Sequence, residues 1–253
     1  MSQETGFIGL GAMGKPMALN MLKADIPLIV HDLDPAKTKS LANAGATVGL
    51  SPKNIAAATN RIICLVETTD QAKDVICGPD GIIDGAIAGS IVICMSTIDP
   101  LVAKKMGKKL SKKGIMLLDA PVSGGTERAS KATLSVIVGG EEEAFNKCQD
   151  IFKAVGNNVF HIGEQGKGLI MKLINNMLGI TNTITLVEGL TIGVKSGIGL
   201  ETMLSVLKTS AGASAAVDLR VPRIIDNNFE PGGTMDIVYK DQELITAYAK
   251  QIG

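Results

Sequence analysis

The sequence has no excess of charge of either sign. Its 253 residues include 25 lysines and arginines against 25 aspartates and glutamates, so the formal net charge at pH 7 is zero. Binding to nucleic acid or to an anionic membrane surface draws on a basic face, and a balanced chain gives no electrostatic case for either partner. We therefore expect a small-molecule partner, and neither nucleic acid nor a membrane.

Cysteine and histidine are too sparse to indicate a C-x-x-C motif or a metal site. The four cysteines form no C-x-x-C pair, and with only two histidines no cluster has the ligand spacing of a metal site. No Ser-His-Asp arrangement stands out, and we expect no signal peptide, because a Gly-rich strand and turn begin by Gly6. We expect a cytoplasmic protein without a metal. We interpret the cysteines as buried free thiols in a reducing compartment, namely Cys64, Cys77, Cys94 and Cys148.

The first two thirds of the chain alternate short apolar runs with helix-like segments. Each run is apolar on both faces, as a strand covered by helices on both sides would be. This rhythm predicts an α/β fold with a doubly wound parallel sheet. Strands are predicted at residues 6–8, 27–30, 61–66, 91–94, 115–118, 134–138 and 160–163, and crossover helices at 15–24, 35–44 and 100–113.

A glycine-rich turn follows the first predicted strand and opens the first predicted helix. Gly9-Leu10-Gly11-Ala12-Met13-Gly14 fits the pattern G-x-G-x-x-G. Gly9 permits the tight turn, Gly11 lets a pyrophosphate approach the backbone, and Gly14 lets the helix pack closely against the strand. The N–H groups at the start of the helix then face the phosphates. The turn therefore predicts a dinucleotide-binding Rossmann domain.

Asp32 bears on the choice of dinucleotide. It follows the second predicted strand, 18 residues beyond Gly14, close to the spacing at which an acid accepts hydrogen bonds from the adenosine ribose. A carboxylate there would repel a 2′-phosphate, and no arginine stands beside it in the sequence. We therefore expect NAD as the cofactor in preference to NADP.

The pattern changes after Gly163. Residues 166–253 show helical periodicity and no convincing strand, so we predict a Rossmann domain at 1–164 and an all-helical domain at 165–253. The most apolar stretch, residues 169–198, contains too many polar groups for a lipid span and predicts a buried helix or a subunit interface, hence a homodimer or homotetramer. The chain ends without a polar tail, so we expect the helical domain to be truncated.

Several stretches resemble the motifs of the β-hydroxyacid dehydrogenase family, in the family's order, from about residue 5 to the end. Residues 119–129 resemble its D-x-P-V-S-G-G-x-x-x-A substrate motif, and residues 166–176 its G-x-x-x-K-x-x-N-N catalytic helix. Residues 7–18 are similar to its cofactor motif, and residues 95–100 and Lys240-Asp241 match two more segments. The resemblance implies a Rossmann domain joined through one long helix to an all-helical domain.

The resemblance also implies a reaction and residue roles. A short 3-hydroxy acid and its semialdehyde would be interconverted by hydride transfer with NAD. Lys172 would be catalytic. Substrate would be bound by Ser123, Gly124, Gly125 and Asn176, and the cofactor by the glycine turn and Asp32 together with Leu65, Val66, Thr97 and Lys240.

These residue types suit that chemistry. As hydride leaves the carbinol carbon, a base must take the hydroxyl proton. Lys172 can do so only if its pKa falls from about 10.4 toward neutrality, as burial and a positive nicotinamide would both make it do. Asn176, four residues on and on the same helix face, can orient the substrate oxygen without titrating. Ser123 and the N–H groups of Gly124 and Gly125 form an uncharged carboxylate cradle.

Two alternatives remain beside this prediction. Imine reductases share the architecture but generally lack a lysine at the position of Lys172. A non-catalytic NAD-binding or dimerisation module would have no need of Lys172, Asn176 and Ser123. Three departures from the family pattern are Val66, Ala132 and Gln242, which stand where Pro, Gly and Leu are usual; the last two bear on substrate identity.

Overall fold

The computed structural model describes residues 4–230 and 233–253. The chain divides into two compact units, Met1–Lys172 with Ile252, and Leu173–Gln251 with Gly253. The division falls inside one continuous helix, so Lys172 is the last residue of the main segment of the first unit.

The first unit alternates strands and helices in the predicted manner. Its described strands are β1 (Thr5–Ile8), β2 (Leu28–His31), β3 (Thr47–Val48), β4 (Arg61–Cys64), β5 (Ile91–Cys94), β6 (Met116–Asp119), β7 (Val122–Ser123), β8 (Leu134–Gly139) and β9 (Gly156–Gly163). Its described helices are α1 (Gly14–Lys23), α2 (Pro35–Asn43), α3 (Pro52–Ala58), α4 (Thr69–Cys77), α5 (Ile82–Gly85), α6 (Pro100–Ser111), α7 (Gly125–Ser130), α8 (Glu142–Asn146) and α9 (Gln149–Val155).

The strands form one sheet in the order β3-β2-β1-β4-β5-β6-β8-β7, with β9 paired to β8. The pairs from β3 to β6 are parallel, as predicted. Beyond β6 the sheet is mixed, because β8 runs antiparallel to both β6 and β7, which the prediction of a doubly wound parallel sheet did not include. An antiparallel return needs only a short connection, here the six-residue α7, instead of a full crossover helix.

Apolar side chains cover both faces of the sheet. Successive residues of one strand go to opposite sides, so Phe7 joins one core and Ile8 the other. The same division separates Ile63 from Ile62 on β4. Because apolar side chains cover both faces of the sheet, functional polar groups are expected in the loops at the strand ends. The packed core holds those loops in place.

The second unit is helical throughout the part that the structure describes. It contains most of α10 (Lys167–Lys195), followed by α11 (Leu200–Lys208), α12 (Ala215–Ile225) and α13 (Met235–Ile252). Its buried apolar core is small and is formed by Leu186, Leu190, Ala216, Val217 and Val221. The predicted change from alternating elements to helices is confirmed.

Helix α10 is less covered than predicted. By length and composition it is long and apolar enough to cross a membrane, yet only 17% of its most apolar 18-residue window is buried within the described chain. Ile184, Ile192 and Val194 are 57%, 69% and 53% exposed. The expectation of a buried helix is therefore wrong for most of the length of α10. The alternative, that α10 forms a subunit interface, stays a prediction.

Ala132, between α7 and β8, has a left-handed backbone with φ of 55°. Such a conformation costs an L-residue about 1–2 kcal/mol, and glycine is free of that cost although it loses more entropy on folding. We expect Ala132→Gly to raise the free energy of unfolding by about 0.5–1 kcal/mol, measured by urea denaturation. Ala57→Gly, at an exposed position inside α3, should lower it by a similar amount. Equal destabilisation by both changes would contradict the assigned strain.

Candidate active site

The loops after β1, β2, β4 and β5 lie at the carboxyl edge of the parallel strands. The chain runs outward from β1 through β2 to β3 and resumes with β4 on the other side of β1, so the strand order reverses between β1 and β4. Ligands of doubly wound sheets bind in the crevice at such a switch point. The fold brings to this edge the predicted cofactor residues of the first unit, Gly9 to Gly14, Asp32, Leu65, Val66 and Thr97.

The three glycines of the first turn are in different surroundings. Gly9 has a φ of 98°, and a Cβ there would lie 2.0 Å from the carbonyl oxygen of Leu65. A Cβ on Gly14 would lie 2.0 Å from the carbonyl oxygen of Gly9. Gly11 is exposed, and a Cβ there would meet no atom within 4 Å. Gly9 and Gly14 therefore permit close packing within the protein, while the open side of the turn lies at Gly11.

The start of α1 fits an anion. Met13, which precedes the helix, makes no side-chain capping bond, and the first turn carries no acid. The first N–H groups of a helix have no intrahelical partner, and together with the helix dipole they attract negative charge. Beside the open turn at Gly11, this helix end fits the pyrophosphate of a dinucleotide.

Asp32 connects the glycine turn to α2. Its Oδ2 accepts the N–H of Leu10 at 2.7 Å, and its Oδ1 accepts the N–H of Asp34 at 2.9 Å. The Lys37 Nζ lies 3.5 Å from Oδ1. Burial opposes ionisation, but the bonds from Asp34 and Leu10 and the charge of Lys37 outweigh it and hold the pKa of Asp32 below its usual value. Sequence analysis missed Lys37, a cation near the start of α2.

The loops after β4 and β5 are joined by a hydrogen bond. The N–H of Val66 donates to Ser96 Oγ at 2.8 Å, and Ser96 is 1% exposed. The bond fixes the loop of Leu65 and Val66 to the segment that carries Thr97. Proline, usual in the family at the position of Val66, has no N–H and could not form this bond. The departure at Val66 therefore has a local structural consequence.

The predicted substrate cradle follows β6 and β7. Ser123 pairs with Ser135 of β8, and the two glycines that follow have left-handed backbones, with φ of 139° at Gly124 and 69° at Gly125. Both glycines are exposed, and a Cβ on Gly125 would meet no atom within 4 Å. These φ values explain why glycine occupies both positions, and they leave the backbone of Gly125 accessible to a ligand.

Lys172 lies near the start of α10 and is 8% exposed. Asp119, fully buried at the end of β6, accepts the N–H groups of Gly166 at 2.6 Å and Leu169 at 2.8 Å. Burial raises the pKa of Asp119 to about 6, against the lowering effect of these two bonds. The sequence motif contained Asp119 but gave it no role.

In the second unit, Asn176 is held by a buried acid. Its Nδ2 donates to Asp241 Oδ2 at 2.6 Å, and its Oδ1 accepts from Asn175 Nδ2 at 3.2 Å. Asp241 is 5% exposed, and its Oδ1 lies 3.1 Å from Lys240 Nζ. Asp241 thus joins two predicted site residues, Asn176 and Lys240. Sequence analysis placed Asp241 in a family segment without a role.

Removing the Asp241 carboxylate should impair substrate handling. Asp241→Ala leaves the Asn176 amide without its acceptor, so we expect kcat/KM for the hydroxy acid to fall by about 10- to 100-fold. Asp241→Asn keeps an acceptor oxygen and should lose less. Steady-state kinetics on both variants test this, and unchanged kcat/KM in Asp241→Ala would remove Asp241 from the site.

Metal-binding clusters and reactive cysteines are two further kinds of functional site that the part of the chain described by the structure could contain. Within residues 4–230 and 233–253, no group of three or more His, Cys, Asp or Glu side chains could hold a metal ion. The four cysteines are free, and Cys64, Cys94 and Cys148 are buried as predicted, whereas the prediction is wrong for Cys77, which is partly exposed. Burial raises the pKa of the Cys94 and Cys148 thiols to about 12, which suits small core side chains better than reactive ones.

Comparison with known proteins decides the family of this chain. Residues 4–163 match the NAD binding domain of 6-phosphogluconate dehydrogenase, and residues 166–253 match the NAD-binding region of NADP-dependent 3-hydroxyisobutyrate dehydrogenase. The chain belongs to the 3-hydroxyisobutyrate dehydrogenase family. The resemblance drawn from its motifs is confirmed, and with it the assignment to NAD(P)-dependent oxidoreductases.

Individual relatives agree with this assignment. The chain is 36% identical over 251 residues to 2-(hydroxymethyl)glutarate dehydrogenase of Eubacterium barkeri, covering 99% of this chain and 83% of the relative. It is 36% identical over 243 residues to mitochondrial 3-hydroxyisobutyrate dehydrogenase of Rattus norvegicus, covering 93% and 72%. Both relatives are named as dehydrogenases of hydroxy acids.

Solved structures confirm the architecture. 3-Hydroxyisobutyrate dehydrogenase of Mycobacterium tuberculosis, solved with L-serine, matches with a TM-score of 0.91 at 26% identity, covering 100% of this chain and 88% of the other. An imine reductase variant of Myxococcus stipitatus, in complex with NAD+, matches with a TM-score of 0.73 at 20% identity, covering 90% and 78%. The second likeness shows the fold alone, so the comparisons favour a hydroxy acid dehydrogenase over an imine reductase.

Proposed function

We propose that this family member interconverts a short 3-hydroxy acid and its semialdehyde, with Lys172 as general acid and base. The observation that carries the proposal is the buried Lys172, at the family's catalytic position, in a chain whose dinucleotide turn remains open at Gly11. Bound NAD would supply the hydride acceptor. In the oxidation, the C–H bond of the carbinol carbon breaks with its electron pair, and the hydroxyl proton passes to the Lys172 amine.

The remaining site residues bind and orient the substrate. The Ser123 hydroxyl and the backbone N–H groups of Gly124 and Gly125 would hold the carboxylate without adding charge. Asn176, whose amide is fixed by Asp241, would hydrogen-bond the reacting oxygen. In the reverse direction the protonated Lys172 would polarise the aldehyde oxygen and deliver the proton.

We propose NAD over NADP as the preferred cofactor. The Asp32 carboxylate is held anionic by two backbone N–H groups and Lys37, which supports hydrogen bonding to ribose hydroxyls and repulsion of a 2′-phosphate. Lys37 works against strong discrimination, because its ammonium group would attract that phosphate. The matched family model is described as NADP-dependent, so the proposed preference for NAD is supported only by the residues around Asp32.

The activity is tested by offering the purified chain a panel of acids with NAD+. The panel comprises 3-hydroxyisobutyrate, glycerate, 3-hydroxypropionate and 2-(hydroxymethyl)glutarate, and NADH formation is followed by absorbance. Turnover on at least one acid is expected, and the ratios of kcat/KM identify the substrate. NADH binding with no turnover on any of them would favour the non-catalytic NAD-binding module instead.

We further propose a homodimer or homotetramer whose subunits meet through α10. The many apolar side chains that α10 leaves exposed support this assignment, because exposed apolar surface is a mark of interaction sites. Ile184→Asp should shift the species seen in sedimentation velocity toward the monomer. Ile87→Asp, which changes an apolar side chain of the first unit with 68% exposure, should leave the distribution unchanged. A wild-type chain that sediments as a monomer at all concentrations would contradict the proposal.

We also propose a division of the chain into two domains and a cellular compartment. We propose a dinucleotide-binding domain at residues 1–164 and a helical substrate and dimerisation domain at 165–253, which the two matched family models at 4–163 and 166–253 support. We place the protein in the cytoplasm, a placement supported by its four free cysteines.

A further inference from the structure

Asp119 is a completely buried carboxylate with no assigned part in the proposed reaction. It ends β6, where its Cα is paired with Cys94 of β5 on one side and Gly139 of β8 on the other. Its exposed fraction is 0%. A buried carboxylate is costly unless its oxygens are hydrogen-bonded, so the partners of Asp119 indicate what its burial achieves.

Two hydrogen-bond partners of the Asp119 carboxylate lie at the start of α10. Oδ1 accepts the N–H of Gly166 and Oδ2 accepts the N–H of Leu169. The first N–H groups of a helix have no partner within the helix, and here an acid 47 and 50 residues earlier in the chain satisfies two of them. The negative charge also lies at the positive end of the α10 dipole. Asp119 therefore fixes the start of this helix to the end of β6.

The glycines around the Asp119 carboxylate allow the start of α10 to lie close to β6 and β8. A Cβ on Gly139 would lie 2.9 Å from both Asp119 carboxylate oxygens. A Cβ on Gly168 would lie 2.5 Å from the carbonyl oxygen of Ile137 and 2.7 Å from that of Asp119. The backbone of the first turn of α10 therefore packs directly against β6 and β8, next to the Asp119 carboxylate.

Lys172 follows Leu169 by three residues on the same helix. Because a helix is stiff over one turn, the location of the Leu169 N–H fixes the height and rotation of the Lys172 Cα. We infer that Asp119 is a positioning residue that holds the start of α10, and with it Lys172, in register for proton transfer. This inference rests on the role proposed above for Lys172. Proton transfer needs a hydrogen-bonded approach, and a misplacement of about 1 Å can cost about 100-fold in rate.

Asp119→Asn tests the inference with the smallest change of shape. The amide retains one oxygen, which can accept the N–H of either Gly166 or Leu169. Its NH2 group then faces the other N–H and cannot accept a hydrogen bond from it. We expect kcat to fall by about 10- to 100-fold, while the Kd for NADH and the KM for the acid stay within about twofold. A general loss of folding would instead lower the active fraction and the cofactor-binding capacity together.

Gly168→Ala moves the same helix start by a different route. Its Cβ would press on the carbonyl oxygen of Ile137 while the Asp119 carboxylate remains intact. We expect the same selective loss of kcat. Ser51→Ala is the control, because Ser51 Oγ accepts the N–H of Asn54 as the cap of α3, far along the chain from Lys172. Its kcat should be that of the wild type.

Hydrogen–deuterium exchange supplies a readout that does not depend on turnover. In the wild type, the amides of Gly166 and Leu169 should be protected by Asp119, and Asp119→Asn should accelerate exchange there while the strands β1, β4 and β5 stay protected. Unchanged exchange at these two amides, or a kcat within twofold of wild type, would overturn the inference. A wild type that is silent on every hydroxy acid would contradict the proposed function only, and the exchange data would still decide whether Asp119 holds the helix start.

Discussion

Replacing Lys172 with alanine should lower kcat for the hydroxy acid by at least about 1000-fold and leave the Kd for NADH within about twofold. The amine is the group proposed to exchange the proton of the reacting oxygen. Alanine cannot replace it, whereas the glycine turn and Asp32, which are assigned to the cofactor, are untouched. Steady-state kinetics and NADH fluorescence titration measure the two quantities independently.

Two further variants make this prediction specific. Lys172→Met keeps most of the side-chain length without a proton acceptor, so it should be as inactive as Lys172→Ala while disturbing the packing less. Lys167→Ala removes an exposed lysine from the first turn of the same helix and should retain wild-type kinetics. Substantial turnover by Lys172→Met would rule out the amine as the acid and base.

The double change Asp32→Ala with Leu33→Arg should reverse the cofactor preference. The change removes the carboxylate that we propose binds the ribose and repels a 2′-phosphate, and it adds a guanidinium that can pair with the phosphate. Leu33 is 93% exposed, so the arginine displaces no packing. We expect the ratio of kcat/KM for NADP+ to that for NAD+ to rise by about 100-fold or more, since opposing and matching charges at one contact differ by several kcal/mol.

The quantity to measure is the ratio of kcat/KM for NADP+ to that for NAD+. Asp32→Ala also breaks the hydrogen bond to the N–H of Leu10, so it should weaken the binding of both cofactors. Leu33→Gln serves as the matched control and should leave the ratio unchanged. Lys37 already stands beside Asp32, so the unmodified enzyme should discriminate less than one with an isolated acid. A ratio that stays constant in the double variant would show that Asp32 does not face the adenosine ribose.

Residues within local motifs could be predicted from the sequence. The turn from Gly9 to Gly14 can be recognised from consecutive residues, and in the structure Gly9 and Gly14 are closely packed whereas Gly11 is open. Seven strands were visible as apolar runs. The two-residue strands β3 and β7 were missed, because two residues show no periodicity.

The residues that the sequence did not reveal depend on partners distant in the chain. Asp119 acts on amides 47 and 50 residues away, and Asp241 on Asn176, 65 residues away. No spacing rule connects such pairs. Lys37 is nearer to Asp32, but a lysine in the first turns of a helix is too common to be noticed without coordinates.

The exposure of α10 illustrates a limit of apolar patterns. Hydrophobicity shows that a helix surface avoids water, but it does not show whether the same chain or another one covers it. The predicted burial within the chain was wrong for this reason, and the remaining prediction, a subunit interface, can be tested by sedimentation.

The most direct test of the central claim follows the hydrogen itself. The enzyme is incubated with NAD+ and its best 3-hydroxy acid deuterated at the carbinol carbon, and the NADH formed is analysed by mass spectrometry. Hydride transfer predicts NADH that carries one deuterium from the substrate, and predicts that Lys172→Met forms almost none. Unlabelled NADH, or labelled NADH formed equally well by Lys172→Met, would contradict the account.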